Sequence, residues 1–126
     1  MNRKTGWIFI SLLFLLASCA PTPIPSDKRS FIGTWKSTSG FTTRIRADGT
    51  ADLTQNLGQT DPDYDKLCIP VGPGTIKDLQ VTFEGANLLK VAKSVTYAKV
   101  YRIDQQPHHG EGYNQIVLNG VTLVKQ

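Results

Sequence analysis

The chain has almost none of the residues that build reactive centres. Among 126 residues there are 2 cysteines and 2 histidines. Cys19 closes an apolar N-terminal run, Cys68 lies in the apolar segment "KLCIPV", and both histidines fall in one stretch, so no Ser/His/Asp or Cys/His set is suggested. The expectation is a protein that is not an enzyme and has no cofactor. A run long enough to span a membrane is missing too: Trp7 to Ala17 is uncharged but well short of the roughly 20 apolar residues a spanning helix needs. No stretch keeps an apolar spacing of 3.6, which argues against a helical fold.

Two positive charges, Arg3 and Lys4, precede the Trp7–Ala17 run, and together they have the form of the n- and h-regions of a secretory signal peptide. The run ends in Leu16-Ala17-Ser18-Cys19, which resembles the lipobox of bacterial lipoproteins. That resemblance implies cleavage before Cys19, a diacylglycerol thioether on its sulfur and, usually, palmitate or a similar chain on the new amine. Each buried methylene contributes about 0.8 kcal/mol, so two or three chains make a lasting anchor that holds the chain to a membrane without crossing it. Ala20 stands where the family carries an aspartate to stay in the inner membrane, so the resemblance implies the outer membrane, facing the periplasm. The plainer alternative is an ordinary signal peptide that happens to contain a cysteine.

Cleavage there removes 18 of 126 residues and leaves 108, enough for one small domain. It also takes Arg3 and Lys4 from 14 basic residues, leaving 12 against 10 acidic ones, or +2. That balance gives no support to a nucleic-acid partner. Cys68 is then the one thiol without a partner in an oxidising compartment, expected as a buried inert side chain, with an intermolecular disulfide or a reactive thiol as the alternative. The division expected is 1–18 signal peptide, 19–29 lipidated Cys19 with a proline-rich tether, and 30–126 a single β domain. Prolines 21, 23 and 25 in "APTPIPSDKR" predict an extended, disordered spacer that keeps the domain a few tens of ångströms from the lipid.

Beyond the tether, β-branched and aromatic residues alternate in short runs broken by Gly, Asn, Asp and Pro, the pattern of an all-β fold. Turn chemistry sets the register. A three-residue loop at Ala47-Asp48-Gly49 places Ile45 opposite Ala51, Thr43 opposite Leu53 and Arg44 opposite Asp52, whereas a two-residue loop would oppose Ile45 and Asp52. The same rule at Thr38-Ser39-Gly40 sets Trp35 opposite Thr43 and Ser37 opposite Phe41. A Gly85-Ala86-Asn87 loop pairs Phe83 with Leu89 and Val81 with Val91, with Asn87 expected at positive φ. Asn119-Gly120 between apolar runs is a strong hairpin signal. About eight antiparallel up-and-down strands result, enough to close a small barrel, with a β-sandwich as the alternative.

Gly33-Thr34-Trp35 at the head of the first strand resembles the G-x-W motif of lipocalins, and "GTWK" with "RADGTADL" is similar to the opening of small lipocalin-like bacterial lipoproteins. The resemblance implies an eight-stranded barrel, a tryptophan packed across its closed end, and a small apolar ligand inside. A barrel from so short a chain can instead be filled by its own side chains.

Three further clusters bear on chemistry. His108 and His109 with Glu111 in "QQPHHGEG" are weak metal candidates, better read as a solvated hairpin loop, because successive strand residues point to opposite faces. Asp61, Asp63 and Asp65 have the alternate spacing of a calcium loop, but Lys66 and Gly72 replace its turn glycine and its bidentate glutamate, so an aspartate-rich turn is expected. In "SVTYAKVYRID", placing Val95, Tyr97, Tyr101 and Ile103 inward carries Lys99 in with them; the opposite choice buries Ala98 and Val100 and exposes both tyrosines. Trp35, Tyr97, Lys99 and Tyr101 are therefore the candidate contacts to a ligand or partner. The expected role is an envelope interaction or structural accessory of unknown partner, with a carrier of a small apolar molecule as the alternative.

Overall fold

The turns form as their residues dictate. In the computed structural model, which describes residues 21–110 and 113–126, Gly40 and Gly49 adopt φ of 102° and 88° at the ends of two three-residue loops, a conformation that a side chain would disfavour. Asn119 and Gly120, at 48° and 78°, make a two-residue turn of the primed type, so Leu118 faces Val121 directly. These turns connect β1 (Gly33–Ser37), β2 (Thr42–Ile45), β3 (Thr50–Gln55), β4 (Gly74–Glu84), β5 (Leu88–Ala92), β6 (Ala98–Gly110), β7 (Tyr113–Leu118) and β8 (Val121–Lys125). Each strand pairs antiparallel with the next, and β1 pairs with β8 through Trp35–Lys125 and Ser37–Leu123, closing an eight-stranded up-and-down barrel.

The expected registers are present. Trp35 faces Thr43; Thr43, Arg44 and Ile45 face Leu53, Asp52 and Ala51; Phe83 and Val81 face Leu89 and Val91. The positive φ in the β4–β5 turn is at Gly85 (64°), not at Asn87, because the glycine comes first in the loop and takes the left-handed conformation at no steric cost. The sandwich alternative gives way to the closed barrel, whose strands leave no second sheet among the described residues.

The inner face follows the period of two. Trp35, Phe41, Ile45, Ala51, Leu53, Leu79, Leu89, Ile116 and Leu123 are all at most 1% exposed. The alternation breaks at "TIKDL", and a bulge repairs it: Asp78 takes φ 58°, its amide donates to Asp52 Oδ1 at 3.0 Å, and both Ile76 and Leu79 turn toward the core. Pro107 sits where the β6–β7 register shifts, the position in a sheet that tolerates a residue without an amide hydrogen.

Both ends of the barrel are stopped, in different ways. At one end, a 3-10 helix (Ser26–Phe31) drops Phe31 inside at 1% exposure. Its ring lies 5.0 Å from that of Phe83, and its carbonyl accepts a bond from Trp35 Nε1 at 2.8 Å. Residues 21–29, expected as a free spacer, are instead seated here: Ile24 is 5% exposed and its amide donates to Ala47 O at 3.0 Å. A proline-rich segment is already extended and loses little freedom on docking, so one buried isoleucine and one backbone bond suffice to hold it. At the other end, the β3–β4 connection carries α1 (Tyr64–Leu67) across the opening and buries Leu57, Leu67, Cys68 and Ile69.

Candidate functional site

The inward phase of β6 resolves the conflict at Lys99. Tyr101 and Ile103 are buried at 2% and 5%, while Lys99 stays half-buried at the rim and its ammonium donates to Asp65 O at 2.5 Å. Two neighbours act in the same way. Asn119 Nδ2 donates to Lys66 O at 2.8 Å, and the Tyr101 hydroxyl donates to Leu67 O at 2.6 Å. Three consecutive carbonyls at the C-terminal end of α1, which the helix itself leaves without partners, are thus each bonded by a barrel side chain. The cation lies where the helix dipole favours it. Gln55 completes the closure: its Nε2 donates to Ile69 O and Gly72 O at 2.6 and 2.8 Å, and its Oε1 accepts from Ile69 N at 2.9 Å.

Burial determines the chemistry of this end. Burial raises the pKa of the Tyr101 phenol well above its ordinary value of 10.0 and keeps it protonated. Burial also pushes the Cys68 thiol up, with Asp61 and Asp63 adding to the rise and Lys99 opposing it. A protonated thiol at 1% exposure is a poor nucleophile and a poor partner for a disulfide.

The candidate residues are therefore separated. Trp35 is fully buried beneath the 3-10 helix, with Lys125 Nζ 5.6 Å from its ring centre. Tyr101 is inside and bonded to Leu67, so it cannot share a surface patch with Tyr97, which lies in the β5–β6 turn at 39% exposure beside a fully exposed Val95. The expected loop at His108 and His109 is strand instead: their backbones pair with Gln115 and Asn114, because β6 and β7 run on as a hairpin to Gly110 and Tyr113. Cys19 and Glu111 lie outside the described residues. Asp61 Oδ1 accepts from Asp63 N at 2.8 Å, the local bond of an aspartate turn leading into α1.

One groove, of about 560 Å³, is lined by Thr75, Ile76, Lys77, Lys93 and Tyr97. Its origin is the stagger of the barrel. From Gly74 to Leu79, β4 is paired only with β3, and β5 takes over on the other side from Gln80. The turn after β5 leaves that stretch of β4 uncovered and holds Tyr97 and Lys93 beside it. Lys93 Nζ reaches Lys77 O at 3.3 Å, and Lys93 N donates to Tyr97 O at 2.8 Å. The groove thus combines a strand edge, two ammonium groups and an aromatic ring. Of these only Tyr97 was legible as a candidate; Lys77 and Lys93 carry no sequence signal that they would meet. Gln55 was legible in principle, since the alternation Ala51, Leu53, Gln55 turns it inward, where an amide must find partners. Comparison with protein-family models, curated proteins and solved structures finds no match to this chain.

Proposed function

We propose that the protein is a lipid-anchored accessory of the bacterial envelope that acts through its outer surface, held to the outer membrane through Cys19 and facing the periplasm. The observation that carries this reading over a carrier of apolar molecules is the state of the interior. The inward positions are occupied by Trp35, Phe31, Tyr101 and the aliphatic residues between them, and the 3-10 helix and α1 lie across the two ends. A carrier needs an apolar cavity of several hundred cubic ångströms inside the fold. Among the described residues, a groove of about 560 Å³ instead runs along β4 beside the exposed Thr75, Lys77, Lys93 and Tyr97.

The partner this groove favours is an extended, acidic protein segment. An uncovered strand edge offers backbone bonds to an added strand, and Lys77 and Lys93 complement carboxylates beside it. The lysines and the Asp78 bulge also protect the edge from indiscriminate pairing, so binding there depends on charge. Two measurements test the reading. The anchored protein is purified from detergent-solubilised membranes and its bound lipids and proteins are identified by mass, in wild type and in a Lys77→Glu/Lys93→Glu variant. A protein partner lost from the variant is expected; a stoichiometric small apolar molecule retained by both would favour the carrier. Labelled palmitate is expected on wild type and not on Cys19→Ala, and a Cys19→Ala chain that still fractionates with membranes would overturn the anchor.

A further inference from the structure

We infer that the barrel stands end-on against the leaflet that holds its anchor, with the Phe31 end toward the lipid and the α1 end with its groove turned away. The inference rests on lipidation of Cys19 and adds an orientation to it. Its basis is how little chain lies between the anchor and the folded domain. Thr22 lies against the β2–β3 turn so closely that a Cβ on Gly49 would overlap the Thr22 carbonyl oxygen, and Ile24 is bonded to Ala47 in the same turn. From Cys19 to Thr22 is three residues, and a chain spans at most about 3.6 Å per residue, so Thr22, which touches the turn, lies within about 11 Å of the lipidated residue.

Up-and-down topology then fixes which parts share that end. The Ala47–Gly49 turn, the Gly85–Asn87 turn and the 3-10 helix are at the near end; α1, the 93–97 turn and the Asn119-Gly120 turn are at the far one. The six residues of β3 separate the two ends by on the order of 15 Å once strand tilt is allowed for. Lys28 and Arg29 lie in the last turn of the 3-10 helix at the near end, where lipid phosphates would meet them, with Asp27 and Glu84 nearby. The length of the link, not the local charge, carries the orientation. The groove along Thr75–Lys77 consequently faces the space that a soluble or opposite partner occupies.

The test uses the full-length protein purified from membranes and reconstituted in vesicles of phosphatidylethanolamine and phosphatidylglycerol carrying a headgroup-attached acceptor. A donor is placed at the near end in Ala86→Cys or at the far end in Thr96→Cys, both exposed positions, while Cys68 stays buried. Energy transfer several-fold stronger from position 86 than from 96 is expected. Gly49→Val, which forces Thr22 off the turn, is expected to bring the ratio toward one; Ile24→Asp serves the same purpose if the first variant does not fold. Equal transfer from both positions in an acylated wild-type protein would overturn the orientation and leave the anchor standing. Mass analysis showing no acyl chain on Cys19 would overturn both.

Discussion

The two ends of the barrel are stopped by different physics. At the near end the closure is apolar: Phe31 under the 3-10 helix, packed on Phe83 and lying over Trp35, with one indole bond to its carbonyl. At the far end the closure is polar: a four-residue helix whose last carbonyls are taken by Lys99, Asn119 and Tyr101, and a connection held by Gln55. A 3-10 turn adjoining the first strand needs only to drop one ring into the opening. The far connection must cross the mouth as irregular backbone, and buried irregular backbone is stable only when its amides and carbonyls find partners.

That contrast can be broken most directly at the near end. Phe31→Ala removes a fully buried ring and is expected to cost about 3–5 kcal/mol in denaturant unfolding. A loss below about 1 kcal/mol would mean that the ring does not close that end. Gln55→Ala at the far end leaves Ile69 N, Ile69 O and Gly72 O without their partners and is expected to cost about 2–3 kcal/mol. A Gln55→Leu variant as stable as wild type would show that the polar closure is dispensable.

The smallest neutral-pH effect, and the most diagnostic, belongs to Tyr101. Tyr101→Phe keeps the ring and orphans Leu67 O, for an expected loss of about 1–2 kcal/mol. Its signature is in the pH dependence. The folded protein holds both Tyr101 and Cys68 protonated beyond their ordinary values of 10.0 and 9.0, whereas the unfolded chain releases those protons near them. The unfolded state therefore binds fewer protons, and stability, level below about pH 8, falls as pH rises through that range by up to about 1.4 kcal/mol per unit for each group. Urea titrations across the alkaline range should show a shallower decline in Tyr101→Phe; an unchanged slope would argue against burial of the phenol.

Much of the barrel was legible because its turns are short. A three-residue loop ending in glycine fixes the pairing on both sides of it, so Trp35, Thr43, Leu53 and Val81 could be matched to their partners from spacing alone. The long β3–β4 connection offered no such rule, and several of the bonds that seat it join residues more than thirty positions apart, as Tyr101 to Leu67 and Asn119 to Lys66 do. The groove was illegible for a related reason: it exists because β4 is longer than β5, and strand length is set by neighbours rather than by the strand's own residues.

By itself the sequence determined the class, the strand order and the inward face of the first three strands, since alternation and turn residues act over a few positions and leave few ways to close eight strands. Tertiary structure alone decided that Tyr101 is inside and Tyr97 outside, that the proline-rich segment is docked, and that a groove opens along β4. Those outcomes turn on how distant backbone groups satisfy one another once water is excluded, and no local pattern records which partners will meet.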